Sequence, residues 1–314
     1  MEINRELGAG IKISKLGYGA WAVGNAWTPE SDAFDVLDAY LANGGNFVDT
    51  AQGYKVSEER IGKYLKLRGN SNKVVISSKT PNGGTMETVK NIESAVDDSL
   101  KKLGRDYIDL YFFHSPPDDD ETIACALAEM ERLVKKGKIL TIGASIKGPN
   151  VSQATVDLCK KYIDTGKIHA IQLIYSLLRQ KNADIFEYAN KNGVALVGRT
   201  SLESGFLTGK NARDFRFPDE DYRAKWNRKY EEIWDTVARA QEKYAKGSAE
   251  EFKRIALQFA MNPEEITTTI VGARNKEQME GIIAISQHEK LSADLLGKLK
   301  SDFEASQNVC NPDF

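Results

Sequence analysis

The stretch 107–145, YIDLYFFHSPPDDDETIACALAEMERLVKKGKILTIGAS, decides the fold. Two short runs rich in aromatic and β-branched residues, YIDLYFFH (107–114) and KILTIGAS (138–145), flank a segment in which Ile123, Leu127, Met130 and Val134 recur at helical spacing until Gly137 stops it. Strands apolar on both faces and separated by a helix imply a parallel sheet, because an antiparallel sheet with one wet face would alternate apolar and polar residues.

The same unit recurs along the chain. KLGYGAW (15–21), NFVDT (46–50), KVVISSK (73–79), AIQLIYS (170–176), GVALVGRT (193–200) and TTTIVGA (267–273) bring the strand candidates to eight. Between two of them Ile92, Val96, Leu100 and Leu103 line a helix face before Gly104. Eight units predict a closed (β/α)8 TIM barrel, whereas a doubly wound sheet shows about five or six strands before the domain changes. The 314 residues are then expected to form a single barrel domain spanning 1–314. INRELGAGIKIS (3–14) reads as a small N-terminal hairpin, and Thr28-Pro29-Glu30 as a helix start with Thr28 as the cap. A charged stretch, 211–246, interrupts the alternation after the seventh strand; it is expected to carry an extra helix through 221–244 over the active face, with a further helix at the C-terminus.

Charge excludes some functions. Lys and Arg number 43 against 45 Asp and Glu, a net charge of -2 with no basic block to follow a phosphate backbone, so nucleic acid is not an expected partner. MEINRELGAG at the start has no apolar leader region, and no apolar run reaches the ~20 residues of a membrane span, which predicts a cytoplasmic protein. Cys125, Cys159 and Cys310 form no CxxC pair and no even set, so neither a disulfide framework nor a metal site is expected.

Barrel chemistry collects at the C-terminal ends of strands. Asp49 ends the second strand candidate and Tyr54 follows in its loop; Lys79 ends the third and His114 the fourth. Singly, each has an ordinary structural explanation as a cap, a solvated strand end or a core histidine. On three neighbouring strands they suit proton supply beside hydride transfer. Adding hydride to a carbonyl makes an alkoxide that must be protonated, and a phenol with pKa about 10 is a slow donor at neutral pH. An ammonium such as Lys79 favours the phenolate, a carboxylate such as Asp49 keeps that lysine charged, and His114 can orient the carbonyl oxygen.

These residues, in the contexts FVDTAQGY, ISSKT and YFFHSP, resemble the aldo-keto reductases, and the resemblance runs from LGYGAW (16–21) to TTTIVGARNKEQMEG (267–281). It implies reversible NADP(H)-dependent reduction of an aldehyde, ketone or aldose with Tyr54 as general acid. It also implies a nicotinamide site at Ser145 and Gln172, although the family's asparagine after the serine is Ile146 here. RTSLESGFLTGK (199–210) resembles the pyrophosphate-covering loop, with Leu202, Ser204, Gly205, Leu207 and Lys210 in matching places. Arg199 stands where many members stack an aromatic ring on the nicotinamide, which a planar guanidinium can also do. GARNKEQ resembles the adenosine-phosphate site through Gly272, Ala273, Arg274, Asn275 and Gln278, while Gly281 and Ile282 replace an acid and an asparagine of the family. Trp21, Trp27 and Phe113 match positions lining the substrate pocket, with plain packing the alternative for Trp27; His169 and His288 match no role.

Three rival readings remain open on sequence. GYGAWA (17–22) fits a loose dinucleotide-binding pattern, but another loop, VGNAW, follows it instead of a helix. Lys79 beside Asp49 also suits a Schiff-base aldolase. A regulatory subunit could keep the reductase fold and use bound nucleotide as a signal.

Overall fold

The structure, a computed structural model, describes residues 1, 3–146, 151–210, 217, 219, 223–224 and 231–304. It opens with an antiparallel hairpin of β1 (Ile3–Gly8) and β2 (Ile11–Ser14). Eight parallel strands follow: β3 (Leu16–Gly19), β4 (Phe47–Asp49), β5 (Val75–Lys79), β6 (Ile108–His114), β7 (Ile139–Ser145), β8 (Ala170–Ile174), β9 (Ala195–Arg199) and β10 (Ile266–Val271). They pair in chain order, and β10 returns to β3 with Thr269 opposite Leu16 and Val271 opposite Tyr18. The barrel is closed, which overturns the doubly wound alternative. Lys15 reinforces the closure by donating to the carbonyls of Pro263 (2.8 Å) and Ile266 (2.6 Å).

All eight strand candidates form barrel strands because each has apolar side chains for both faces. Leu110 and Phe112 of β6 point into the barrel, where Phe47, Val197 and Ile270 meet them. Leu7 and Ile13 of the hairpin are fully buried in that same interior cluster and fill it. Tyr111 and Phe113, one step out of phase, join the layer between sheet and helices with Ile123, Leu127 and Met130. Each such buried side chain contributes about 1.5–3 kcal/mol. The two helices read from Ile92 and Ile123 span Ile92–Leu103 and Asp120–Lys135; Gly104 and Gly137, at φ 63° and 72°, end them in the left-handed conformation.

The first helix, Glu30–Ala42, departs from expectation: Pro29 occupies its cap position, and the Thr28 hydroxyl turns back to donate to the Ala22 carbonyl. After β9 the expected extra helix appears over Glu231–Ala245, and Trp234 on it packs on Phe206 of the preceding loop with centroids 4.2 Å apart. The part of that expectation covering 221–222 and 225–230 lies outside the described residues, as do Cys310 and the tail after Glu304. A last helix, Ala293–Glu304, supplies the C-terminal addition.

Candidate active site

Register carries the functional residues to one rim. Asp49 lies opposite Ser77, Lys79 opposite Phe112, His114 opposite Ser145, Ser145 opposite Gln172, and Ile174 opposite Arg199, so successive strand ends line the mouth in order.

At its floor Lys79 and Asp49, 0% and 1% exposed, form an ion pair. Lys79 Nζ donates to Asp49 Oδ1 (2.8 Å), to Oδ2 (2.7 Å) and to the Thr50 carbonyl (2.7 Å), which uses all three of its protons. Asp49 Oδ1 also accepts from Ser77 Oγ and from Gln172 Nε2, both at 2.8 Å. A buried charge pair is stable only when its remaining lone pairs and protons are satisfied, and this one is.

Tyr54 enters from the loop after β4. Its backbone N–H donates to the Ala51 carbonyl, and its own carbonyl presses so closely on Gly24 that a Cβ there would lie 1.9 Å from the oxygen. The ring lies over Lys79 Nζ, 4.9 Å from centroid to nitrogen, and stands edge-on to the His114 imidazole at 6.3 Å and 86°. His114 has its pKa pushed down to about 3, first by burial and then by the positive charges of Lys79 and Arg199. Its Nδ1 is buried without a partner among the described residues. A neutral imidazole at physiological pH can offer one N–H to an oxygen without itself losing a proton.

Three site residues are each followed by a non-glycine residue in the left-handed region: Lys55 after Tyr54 (φ 52°), Ser115 after His114 (φ 55°) and Thr200 after Arg199 (φ 62°). Such conformations cost about 1–3 kcal/mol each and gather where the fold must turn sharply beneath a functional side chain.

Ser145 Oγ donates to Gln172 Oε1 (3.0 Å), and Gln172 passes the chain on to Asp49, so the pair expected to hold a nicotinamide is wired to the charged floor. Arg199 is partly exposed; Nη2 donates to the Ile146 carbonyl (3.0 Å) and Nη1 to Thr200 Oγ1 (3.2 Å). In the loop beyond it Glu203, Ser204 and Gly205 are all left-handed (φ 47°, 53° and 106°), and Leu202, Ser204 and Gly205 are partly exposed. Leu207, by contrast, is fully buried in the core and presents no side chain to a ligand, while Lys210 is exposed. The sequence reading missed what holds this loop. Glu203, 0% exposed, is bonded to Ser176 and pairs with Arg179, 1% exposed, whose Nε donates at 3.0 Å. The available signal was two opposite charges, Arg179 and Glu203, each a few residues beyond the end of a neighbouring strand.

In the segment expected on the adenosine side, Asn275 caps the helix Lys276–Ser286 by accepting from Gln278 N–H (3.0 Å), and Gln278 Oε1 accepts from Arg274 N–H (2.9 Å). Those two side chains serve the helix terminus. Gly272 is exposed; Ala273 is buried, and its carbonyl accepts from Tyr18 (3.1 Å). The Arg274 guanidinium lies over the Trp27 ring at 5.7 Å, Lys55 Nζ lies over the same ring at 5.3 Å, and Trp21 packs against it with centroids 5.7 Å apart.

Phe113 requires correction. It shares the β6 parity of Tyr111 and is buried beneath the helices, so it lines no pocket; His114 and Phe112 take the inward positions, with Phe112 5.9 Å from Lys79 Nζ. His169 is structural: its Nδ1 accepts from Ile142 N–H (3.3 Å), and its ring lies under Gly8 of the hairpin. His288 is exposed. Among the described residues no cluster could hold a metal ion, and no helix is long and apolar enough to cross a membrane.

A closed barrel with its polar residues gathered at the strand C-terminal ends is the layout of a TIM-barrel enzyme. The chain belongs to the aldo/keto reductase family, which it matches over residues 15–301, and it is an oxidoreductase of the kind that uses a nicotinamide cofactor on small carbonyl compounds. It is 29% identical over 306 residues to the aldo-keto reductase YhdN of Bacillus subtilis, covering 91% of this chain and 89% of that one. It is 32% identical over 231 residues to the NADH-specific methylglyoxal reductase of Escherichia coli, covering 65% and 68%. A glycerol dehydrogenase from Gluconobacter oxydans superposes with a TM-score of 0.77 at 26% identity, covering 97% of this chain and 95% of that one.

Proposed function

We propose that the protein is an NADPH-dependent carbonyl reductase, working reversibly on aldehydes, ketones or aldoses, with Tyr54 as general acid. The observation that carries the reading is the buried Lys79–Asp49 pair beneath the Tyr54 ring, with a neutral His114 facing it. The residues present suit the cofactor: a buried Arg199 Nε has no partner among the described residues, and the left-handed stretch 203–205 follows it in the same loop. A bound reduced nicotinamide would supply the hydride. Ser145 and Gln172 would orient its carboxamide, His114 would donate to the carbonyl oxygen, and Tyr54 would deliver the proton as charge develops there.

Lys79 acts on Tyr54 through space, because its three protons are already donated. The same fact argues against Schiff-base chemistry, which needs a free amine lone pair. Preference for NADPH is assigned to Arg274, whose planar guanidinium can meet a 2′-phosphate with paired, charge-assisted bonds. A relative described as NADH-specific makes this a point for measurement. The test is an NADPH-oxidation screen across aldehydes, ketones and aldoses. Turnover that depends on Tyr54 supports the reading, whereas tight NADPH binding without turnover of any carbonyl compound would favour a nucleotide-sensing subunit.

A further inference from the structure

Among the described residues no carboxylate is bonded to the Arg199 guanidinium. Its Nη groups donate to a carbonyl and a hydroxyl, its Nε is buried without a partner, and it forms no ion pair among the described residues. Among the described residues the two carboxylates that act on it are engaged elsewhere, Glu203 by Arg179 and Ser176 and Asp49 by Lys79, Ser77 and Gln172. Its field reaches the site where the reaction is proposed to run, since it helps to depress the His114 pKa. The guanidinium also grips the carbonyl of Ile146, the residue next to Ser145.

We propose that Arg199 sets the redox poise of the bound cofactor, by disfavouring the cationic oxidised nicotinamide relative to the neutral reduced one. This rests on the proposed reading of Ser145 and Gln172 as the nicotinamide site. A bound dihydronicotinamide would supply the hydride, its ring C–H bond breaking with the electron pair as the new bond forms at the carbonyl carbon. The carbonyl oxygen would take the Tyr54 proton, and the ring would be left with one positive charge. That charge would lie in the field of Arg199, inside a site with a lower dielectric than water, where two like charges repel more strongly than in solvent. Carbonyl reduction becomes the harder direction on the enzyme, and the reduced cofactor is the more tightly held form. An aromatic ring at position 199 would do the reverse, since a π face attracts a cation.

Oxidised and reduced cofactor carry the same pyrophosphate and 2′-phosphate, so contacts of Arg274 and of the loop 203–205 cancel in the ratio of their dissociation constants. That ratio isolates the ring charge. Fluorescence titration at one fixed salt concentration should give a wild-type protein that binds NADPH at least about tenfold more tightly than NADP+; each tenfold corresponds to about 30 mV for a two-electron couple. In Arg199→Tyr the ratio should fall by about tenfold, chiefly through tighter NADP+ binding, whereas Arg199→Lys, which keeps the charge, should stay near wild type. Arg199→Gln serves as a second neutral variant, with folding checked by circular dichroism.

Equal wild-type affinity for the two forms would overturn the proposal, as would an unchanged ratio in a folded neutral variant. Failure of the wild-type protein to bind either form would instead remove the cofactor reading on which the proposal rests.

Discussion

The Lys79 ammonium lies 4.9 Å from the centre of the Tyr54 ring while its three protons go to Asp49 and Thr50. It thus influences the phenol without being bonded to it. Tyr54→Phe removes the transferable proton and leaves that arrangement intact. Turnover should drop by about 10²–10⁴-fold, the usual range for general acid catalysis, with NADPH affinity nearly unchanged. Steady-state kinetics and a binding titration on one preparation check both halves; activity within a few-fold of wild type would end the Tyr54 assignment.

Lys79→Met should abolish turnover and also unsettle the fold, because it strands the Asp49 carboxylate at 1% exposure with, among the described residues, Ser77 and Gln172 as its remaining side-chain donors. Breaking a buried pair from one side costs about 3–5 kcal/mol. Adding Asp49→Asn should restore much of the stability and none of the activity. Urea denaturation of the single and double variants measures the first effect.

Gly24→Ala tests positioning remote from the chemistry. The new methyl carbon would fall 1.9 Å from the Tyr54 carbonyl oxygen, so the turn that carries the phenol has to move. A misplacement of about 1 Å can cost roughly 10²-fold in rate. The expected result is a large fall in kcat with a cofactor affinity close to wild type; a wild-type kcat would show that the turn has room to adapt.

Acid should weaken the fold through His114. Its folded pKa of about 3 lies below the ordinary 6.5, so between those values the unfolded chain binds a proton that the folded chain refuses. Stability therefore falls as pH drops from about 6.5 towards 3, by about 1–2 kcal/mol already at pH 5. His114→Gln should flatten part of this slope. A remnant should persist, since burial also lowers the pKa of His169. Denaturation midpoints across the range measure the slope.

Arg274→Ala should weaken NADPH binding about ten- to a hundredfold, the worth of one charge-assisted bond, and leave NADH almost unaffected. Trp27 carries the guanidinium on its ring, so Trp27→Ala should reproduce a smaller part of the loss, about 0.5–1 kcal/mol. Equal losses for the two cofactors would mean that Arg274 serves the fold or the adenine and does not read the phosphate.

The barrel was legible because each strand has apolar side chains for both faces, and a polar residue ending such a strand stands out. That is how Asp49, Lys79 and His114 were found. Phe113 was misplaced although the rule for placing it was at hand: counting by twos back from an inward His114 selects Phe112 and Leu110. The links between sites were not legible. Gln172 reaches Asp49 across 123 residues and Glu203 reaches Arg179 across 24, and no local pattern encodes which strand ends face each other. Nor did the sequence disclose that Asn275 and Gln278 spend their side chains on a helix terminus, since the same residues suit a ligand equally well.

The return of β10 to β3 has a consequence for biosynthesis. The last ladder joins residues 16–18 to 269–271, so it forms only when nearly all of the chain has been made. Until then the nascent sheet has two open edges, β3 and β9, each with unpaired backbone donors and acceptors. Contacts so distant in sequence also close slowly. A chain halted before Ile266 would hold every residue of the Asp49–His114 set and yet present sheet edges to its neighbours, and a ribosome stalled there would be expected to release an aggregating species.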